Sequence, residues 1–260
     1  MKRHQLCAAI LLSFLFVAIF APLLCGKLYP HDPFQFDINA ILAPPSATHW
    51  LGTDQDGRDV LAELVWGART SLTVGICTTL LSLSLGIFFG TLAGWFGGVV
   101  DLLISRFIEV LQCFPVFFLV LTLLALLGPS LWNIVLVLGL TQWTGIARLV
   151  RTRVLQLRAS PLILSARTLG ASFLRILLRN LLPLMWPAIQ VSAYFAVAYA
   201  IGVEAGLSFL GFGVSPETPS WGNMLAAARN VSGLAWWLTL APGSAILLLV
   251  LALQGLGEHD

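Results

Sequence analysis

Charge is what this sequence has least of: Asp, Glu, Lys and Arg make up 10% of its 260 residues, against roughly a quarter in soluble domains. Such a chain cannot coat a globular surface with polar groups, which excludes an ordinary water-soluble domain. Histidine is nearly absent as well. The four present, His4, His31, His49 and His259, lie outside the apolar runs that are long enough to cross a bilayer. There is no H-E-x-x-H and no G-x-S-x-G, so the sequence carries neither the metalloprotease nor the nucleophile-elbow signature, and an enzyme buried among its helices has no visible machinery. A phosphate-cradling G-x-x-x-x-G-K-[ST] is also missing, so nucleotide chemistry, if used, resides on another polypeptide. The formal charge of +2, from 14 basic and 12 acidic residues, is too balanced for a nucleic-acid partner. Cys7, Cys25, Cys77 and Cys113 show no metal-ligand or redox spacing and read as small buried hydrophobes.

What is abundant is apolar sequence, at 58% of residues with a mean hydropathy of +0.91. Runs of about 20 apolar residues suffice to cross the hydrocarbon core, and their polar punctuation places spans near 6–25, 70–95, 102–127, 131–147, 184–208 and 236–256. The expectation is an all-α membrane protein of six transmembrane helices. It comprises a first helix (1–25), an extracytoplasmic loop (26–69) and a helical core (70–257) with a cytoplasmic connection at 148–183. The first run reaches Leu24 without an A-x-A-like cleavage site and reads as an uncleaved helix.

Orientation follows from where the cations sit. The 148–183 connection carries Arg148, Arg151, Arg153, Arg158, Arg167, Arg175 and Arg179; with Lys2 and Arg3, nine of the 14 basic residues share one side. The 26–69 loop has three basic residues against six acidic ones. The positive-inside rule then puts both termini and the connection in the cytoplasm.

Inside the second run, Ser82, Gly86, Gly90 and Gly94 recur every four residues, a small-residue stripe along one helix face that permits close helix packing. Its partner helix is left open, in this chain or another. Arg106 and Glu109 are spaced to pair with each other, and Asp101 lies near them. Glu204 has no obvious local partner and, with Ser208, is a candidate cavity wall.

The connection is patterned beyond what a link requires. Ser160-Pro161 reads as an N-cap and first helical residue, with the hydroxyl expected to satisfy a free amide. Gly170 interrupts the pattern and Ser172 is placed to cap a second helix through Leu182. Ser165, Thr168, Ser172, Arg175 and Arg179 make a polar stripe, with Ala166, Leu169, Phe173, Ile176 and Leu177 on another face. Physics alone leaves two readings open: an amphipathic hairpin at the lipid surface, or a docking element for a soluble partner.

Here a family resemblance enters. Ser165-Ala166-Arg167-Thr168-Leu169-Gly170, followed by Leu182-Pro183, resembles the E-A-A-x-x-x-G…L-P loop of ABC importer permeases. Leu164 stands in the glutamate position, Ser165 replaces an alanine, and Asn180 replaces an isoleucine. His49-Trp50-Leu51-Gly52-Thr53-Asp54-Gln55-Asp56-Gly57-Arg58-Asp59-Val60, then Gly67-Ala68-Arg69-Thr70-Ser71-Leu72, looks very like the stretch before the second span in "C"-type dipeptide, oligopeptide and nickel permeases. Leu207 to Gly213, with Pro216, Pro219, Ser220, Trp221, Gly222 and Met224, resembles their outer loop after the fifth span.

The resemblance implies a type I ABC importer permease fold in the bacterial cytoplasmic membrane, with peptides or nickel and metal chelates as cargo. It implies no cofactor on this chain, ATP-Mg on two separate ATPase subunits, a second related permease, and an extracytoplasmic binding protein. It makes Pro161, Leu164, Ser165, Ala166, Arg167, Leu169, Gly170 and Pro183 an ATPase-coupling segment. A stand-alone secondary transporter is the rival reading, though no internal repeat of the kind many such transporters show is visible. In the outer loop, the six acids suit local caps and ion pairs. His31 and His49 are too separated to argue a motif, and no metal site is expected there.

Overall fold

The computed structural model describes residues 2–25, 27–229, 231 and 233–258; of the histidines, His259 lies outside them. It is all-helical, with no strand among the described residues. The helices are α1 (Lys2–Leu24), α2 (Val60–Phe96), α3 (Gly98–Cys113), α4 (Val116–Leu127), α5 (Leu131–Arg158) and α6 (Pro161–Thr168). They continue with α7 (Phe173–Ile176), α8 (Leu182–Phe209), α9 (Trp221–Ala228) and α10 (Trp237–Gly257). Among the described residues, five helical stretches are long and apolar enough to cross a membrane, and a sixth is obtained only if α3 and α4 count as one span.

That last point corrects the expected span at 102–127. α3 and α4 meet at 79°. Proline at position 115 has no amide to offer the preceding turn and drives Phe114 into extended backbone (φ −87°, ψ 135°), which ends one helix and starts another. α2 also begins earlier than expected, at Val60 rather than near 70. Asp59 caps it by accepting the Ala62 amide at 2.9 Å, so the last ten residues expected in the 26–69 loop are helical, and before them the described part of that loop is irregular apart from a 3-10 turn at Ile38–Ala40. Likewise α5 carries the first part of the 148–183 connection in helix, out to Arg158.

The helix expected to start after Ser172 merges with the next span instead. α7 passes through a wide turn at Leu177–Leu181, where the Leu182 amide reaches back five residues to the Leu177 carbonyl, and continues as α8. Pro183 cannot donate to Arg179 and its ring would strike that carbonyl, so one extra residue in the turn relieves both.

The stripe on α2 meets α5 of this same chain. A β-carbon at Gly86 would lie 2.6 Å from Ile146, one at Gly90 2.5 Å from the Ala147 carbonyl, and one at Gly94 2.8 Å from the Arg151 carbonyl. Ser82 bonds across the same seam to the Gly139 carbonyl at 3.3 Å. Close backbone approach is what drives helices together where the solvent is itself apolar. At the end of the seam nearest the connection, Arg151 forks onto both Asp101 oxygens, one at 2.7 Å. Arg158 there donates to the Gly94 and Trp95 carbonyls at 3.1 and 3.2 Å, closing the C-terminus of α2. Arg106 and Glu109 pair at 2.7 Å on an exposed face. Of the cysteines, Cys7 and Cys25 are buried but Cys113 is exposed, at the end of α3.

Candidate functional site

Three regions hold the residues singled out by sequence, and a fourth escaped it. The first is the elbow. Pro161 opens α6, and the backbone carbonyl of Ser160 accepts both the Ile163 and Leu164 amides, at 3.1 and 3.0 Å. The Ile163 amide is thereby taken, and the Ser160 hydroxyl, expected to cap the helix, is buried without a partner; the Ser172 side chain makes no cap bond either. At the other end the Gly170 amide bonds to the Arg167 carbonyl at 2.9 Å and the Ala171 amide to Ala166 at 3.0 Å. This double closure requires a left-handed residue, and Gly170 supplies it at φ +77°. Nothing lies within 4 Å of a β-carbon built there, so backbone conformation alone demands glycine.

α6 is anchored by one side and bare on the other. Ile163 is fully buried beside Val150, Val154, Ile176 and Met185, with Ala166 packed on the same cluster. Arg167 lies over the Trp95 ring at 5.3 Å, and Phe173 packs on Trp95 and Phe96. The Ser165 hydroxyl folds back on the Leu162 carbonyl at 2.9 Å. Leu169 does not share the packed face that its spacing suggested: it is 87% exposed, and Leu164 is 48% exposed. The cause is the Gly170 turn, which swings position 169 past the end of the helix.

The second region is the loop before α2. Gly52 and Gly57 turn the chain at φ +74° and +76°. The Thr53 hydroxyl accepts the Ala43 amide at 2.8 Å and donates to the Ala40 carbonyl, while the Trp237 indole donates to the Thr53 carbonyl at 3.1 Å. One carboxylate oxygen of Asp54 takes the Asp56 and Arg58 amides at 2.8 and 2.7 Å; burial nonetheless raises its pKa above the ordinary value. Arg58 spans Asp56 and Glu63 at 3.7 and 3.5 Å and covers the Phe36 ring at 4.4 Å. Asp59, besides capping α2, accepts from the Tyr29 hydroxyl and pairs with His49 Nδ1, each at 2.9 Å. Burial and that Asp59 bond push the Tyr29 phenol up to about 12. His31 and His49, far apart in sequence, stand with ring centroids 4.7 Å apart, so the fold overturns the separation that argued against a motif.

The third region is Glu204. It is completely enclosed, which corrects the cavity-wall reading and the absence of a local partner. Ser208, one turn on, donates to it at 2.8 Å, joined by Ser220 at 3.1 Å and Ser71 at 3.3 Å. The Trp221 amide then bonds Ser71 at 3.3 Å. One carboxyl group thus ties α2, α8 and the start of α9 together. Ser208 does reach a cavity, of about 310 Å³, which lies between the loop before α2 and the stretch after α8 and is also lined by Asp54, Arg58, Glu63, Pro216 and Asn223.

The fourth region was not anticipated. Beside the α3–α4 break a cavity of about 410 Å³ is walled by Gln112, Thr141, Gln142, Thr144, Ser192 and Tyr199 among its residues, from α3, α5 and α8. Gln112 donates to Thr144 at 3.1 Å, and the Gln142 amide nitrogen is buried without a partner. The available signal was the unusual run of amides and hydroxyls in otherwise apolar spans.

Comparison with known proteins gives this arrangement its context. Residues 86–259 match the family described as binding-protein-dependent transport system inner membrane component. The chain belongs to this family. Relatives among such permeases include the dipeptide transport system permease protein DppC of Bacillus subtilis strain 168, 39% identical over 99% of this chain and 81% of its own length. Another is the di/tripeptide permease DppC of Pseudomonas aeruginosa UCBPP-PA14, 37% identical over 95% of this chain and 84% of its own. A native crystal form of the inward-facing MetNI methionine ABC transporter superposes with a TM-score of 0.63. At 18% identity over 76% of this chain and 94% of that one, it shows a shared type I importer permease fold. This chain is accordingly an inner-membrane permease component of an ABC importer.

Proposed function

We propose that this permease forms half of the transmembrane pathway of a peptide importer, with α6 as the element that receives the motion of a cytoplasmic ATPase. The observation that carries this is the mounting of α6. Ile163 and the double closure at Gly170 hold it rigidly, while Leu162, Leu164 and Leu169 remain uncovered, an apolar tip suited to a groove on a soluble subunit. Leu164 in place of the usual glutamate makes that contact apolar rather than ionic. Two ATPase subunits, each with ATP-Mg, a second related permease and an extracytoplasmic binding protein complete the assembly. The arginine distribution supports a cytoplasmic side for both termini and α6, and on that reading the stretches around Asp54, Arg58 and Ser208 face the binding protein.

The polar-walled cavity beside the α3–α4 break is this chain's share of the pathway. Its hydroxyls and amides offer hydrogen bonds to a peptide backbone without selecting side chains, leaving selectivity to the binding protein. Peptide cargo is supported by the relatives named as dipeptide and di/tripeptide permeases. The test is to co-express the permease with an ATPase pair, a second permease and a binding protein from its own genome, to co-purify the complex and to measure ATP-driven uptake in proteoliposomes. Dipeptide, oligopeptide and nickel chelate are offered in parallel. Peptide uptake that requires all components is expected; uptake by this chain without an ATPase, or of nickel chelate alone, overturns the reading.

A further inference from the structure

The outer loop gathers two imidazoles and a carboxylate that the transport reading does not use. His31, His49 and Asp59 each present a ligand atom, and the three atoms lie within 4.8 Å of one another. They line a cavity of about 240 Å³ whose wall also includes Asp32 and Asp37. The geometry points to a resident divalent transition-metal site here, of Zn²⁺ type, that staples the 26–59 loop to the N-terminus of α2.

The argument starts from the protons. His31 Nε2 lies 2.9 Å from the Thr48 carbonyl; a carbonyl only accepts, so that nitrogen carries the hydrogen and Nδ1 keeps its lone pair. Such a bond on the outer ring nitrogen is the usual way a metal-binding imidazole is oriented. His49 Nδ1 lies 2.9 Å from Asp59, which Tyr29 and the Ala62 amide orient in turn; a cation bound by both residues replaces that hydrogen bond, whose proton passes to solvent. Three ligands about 2 Å from a tetrahedral ion are roughly 3.4 Å apart, so side-chain rotation of about 1 Å brings the set onto one cation. Two imidazoles with one carboxylate suit Zn²⁺, Co²⁺ or Ni²⁺ and disfavour Mg²⁺ or Ca²⁺, which take all-oxygen shells. Asp32 and Asp37 at the wall add negative potential. The fourth position is left to water, so the ion is exchangeable from the extracytoplasmic side.

The closing experiment uses the full-length untagged chain, stripped with chelator and returned to detergent buffer. Calorimetry with Zn²⁺, the visible spectrum with Co²⁺ and thermal unfolding with and without Zn²⁺ are measured. One saturable Zn²⁺ per chain, a tetrahedral Co²⁺ spectrum and a raised unfolding temperature are expected. His31→Gln keeps a donor for the Thr48 carbonyl but lacks the ring nitrogen, and should weaken Zn²⁺ binding by about tenfold or more. Should that variant fold poorly, X-ray absorption on Zn²⁺-loaded wild-type protein reads the ligands directly. No saturable binding, unchanged affinity in His31→Gln, or a zinc shell without imidazole would each overturn the site and leave His49–Asp59–Tyr29 as a hydrogen-bonded brace.

Discussion

At the scale of single residues, two positions concentrate the consequences. Gly170 sits in open space, so a larger residue meets no neighbour, yet the positive φ penalises any β-carbon. Gly170→Val is expected to strain the turn by about 1–2 kcal/mol or more and to re-aim α6 while the bundle stays folded. Peptide-stimulated ATP hydrolysis in the purified complex should become uncoupled from uptake; full transport by this variant would remove the coupling role. Glu204 is the opposite case, because every neighbour counts on it. Glu204→Ala strands the Ser208, Ser220 and Ser71 hydroxyls, each stranded group costing on the order of 1–3 kcal/mol if no water replaces the carboxylate. Folded yield in detergent should collapse, whereas normal yield with altered cargo preference would return Glu204 to the pathway. The Ser208 contact, at a spacing of four, left a local signal in the sequence that the expectation of no local partner passed over; Ser71 left none, since it lies 133 residues away.

At the scale of elements, the decisive contact is the seam between α2 and α5. Gly86, Gly90 and Gly94 announce a packing face in sequence, but only the fold names Ile146, Ala147 and Arg151 as what they touch. Gly90→Leu would force the Ala147 backbone away and separate the helices. Assembly should fail, seen as loss of the monodisperse complex on size exclusion, with substrate preference unchanged in whatever remains. An intact complex would mean that this face is not a tight seam. The α3–α4 bend teaches the same lesson in reverse. Hydropathy is blind to a single proline, so one apolar run from 102 to 127 reads as one span, although Pro115 splits it and opens the polar-walled cavity at the break.

For the whole molecule, the arginine-rich side sets the expected orientation, with both termini and α6 in the cytoplasm. With Cys7, Cys25, Cys77 and Cys113 replaced, a single cysteine at the exposed position Thr168 should be shielded from an impermeant thiol reagent in spheroplasts. One at the exposed position Gln55 should label. The reverse pattern would invert the topology and place α6 beyond reach of any cytoplasmic ATPase. The loop before α2 and the stretch after α8, 154 residues apart from Asp54 to Ser208, converge on one cavity, which is what a single face for a binding protein requires.

The sequence by itself determined whatever is local or summed over long windows: the membrane as solvent, the approximate spans, the arginine-rich side, and the turn at Gly170. Hydropathy adds residue by residue, and a helix cap closes within six residues, so neither needs distant partners. Only the tertiary structure decided the rest. It enclosed Glu204, exposed Leu169 and Cys113, left Ser160 without its cap bond, and brought His31 within reach of His49 and Asp59. Those outcomes depend on how an irregular loop and tilted helices fill space, where a side chain's neighbours come from remote parts of the chain and periodicity carries no record of them.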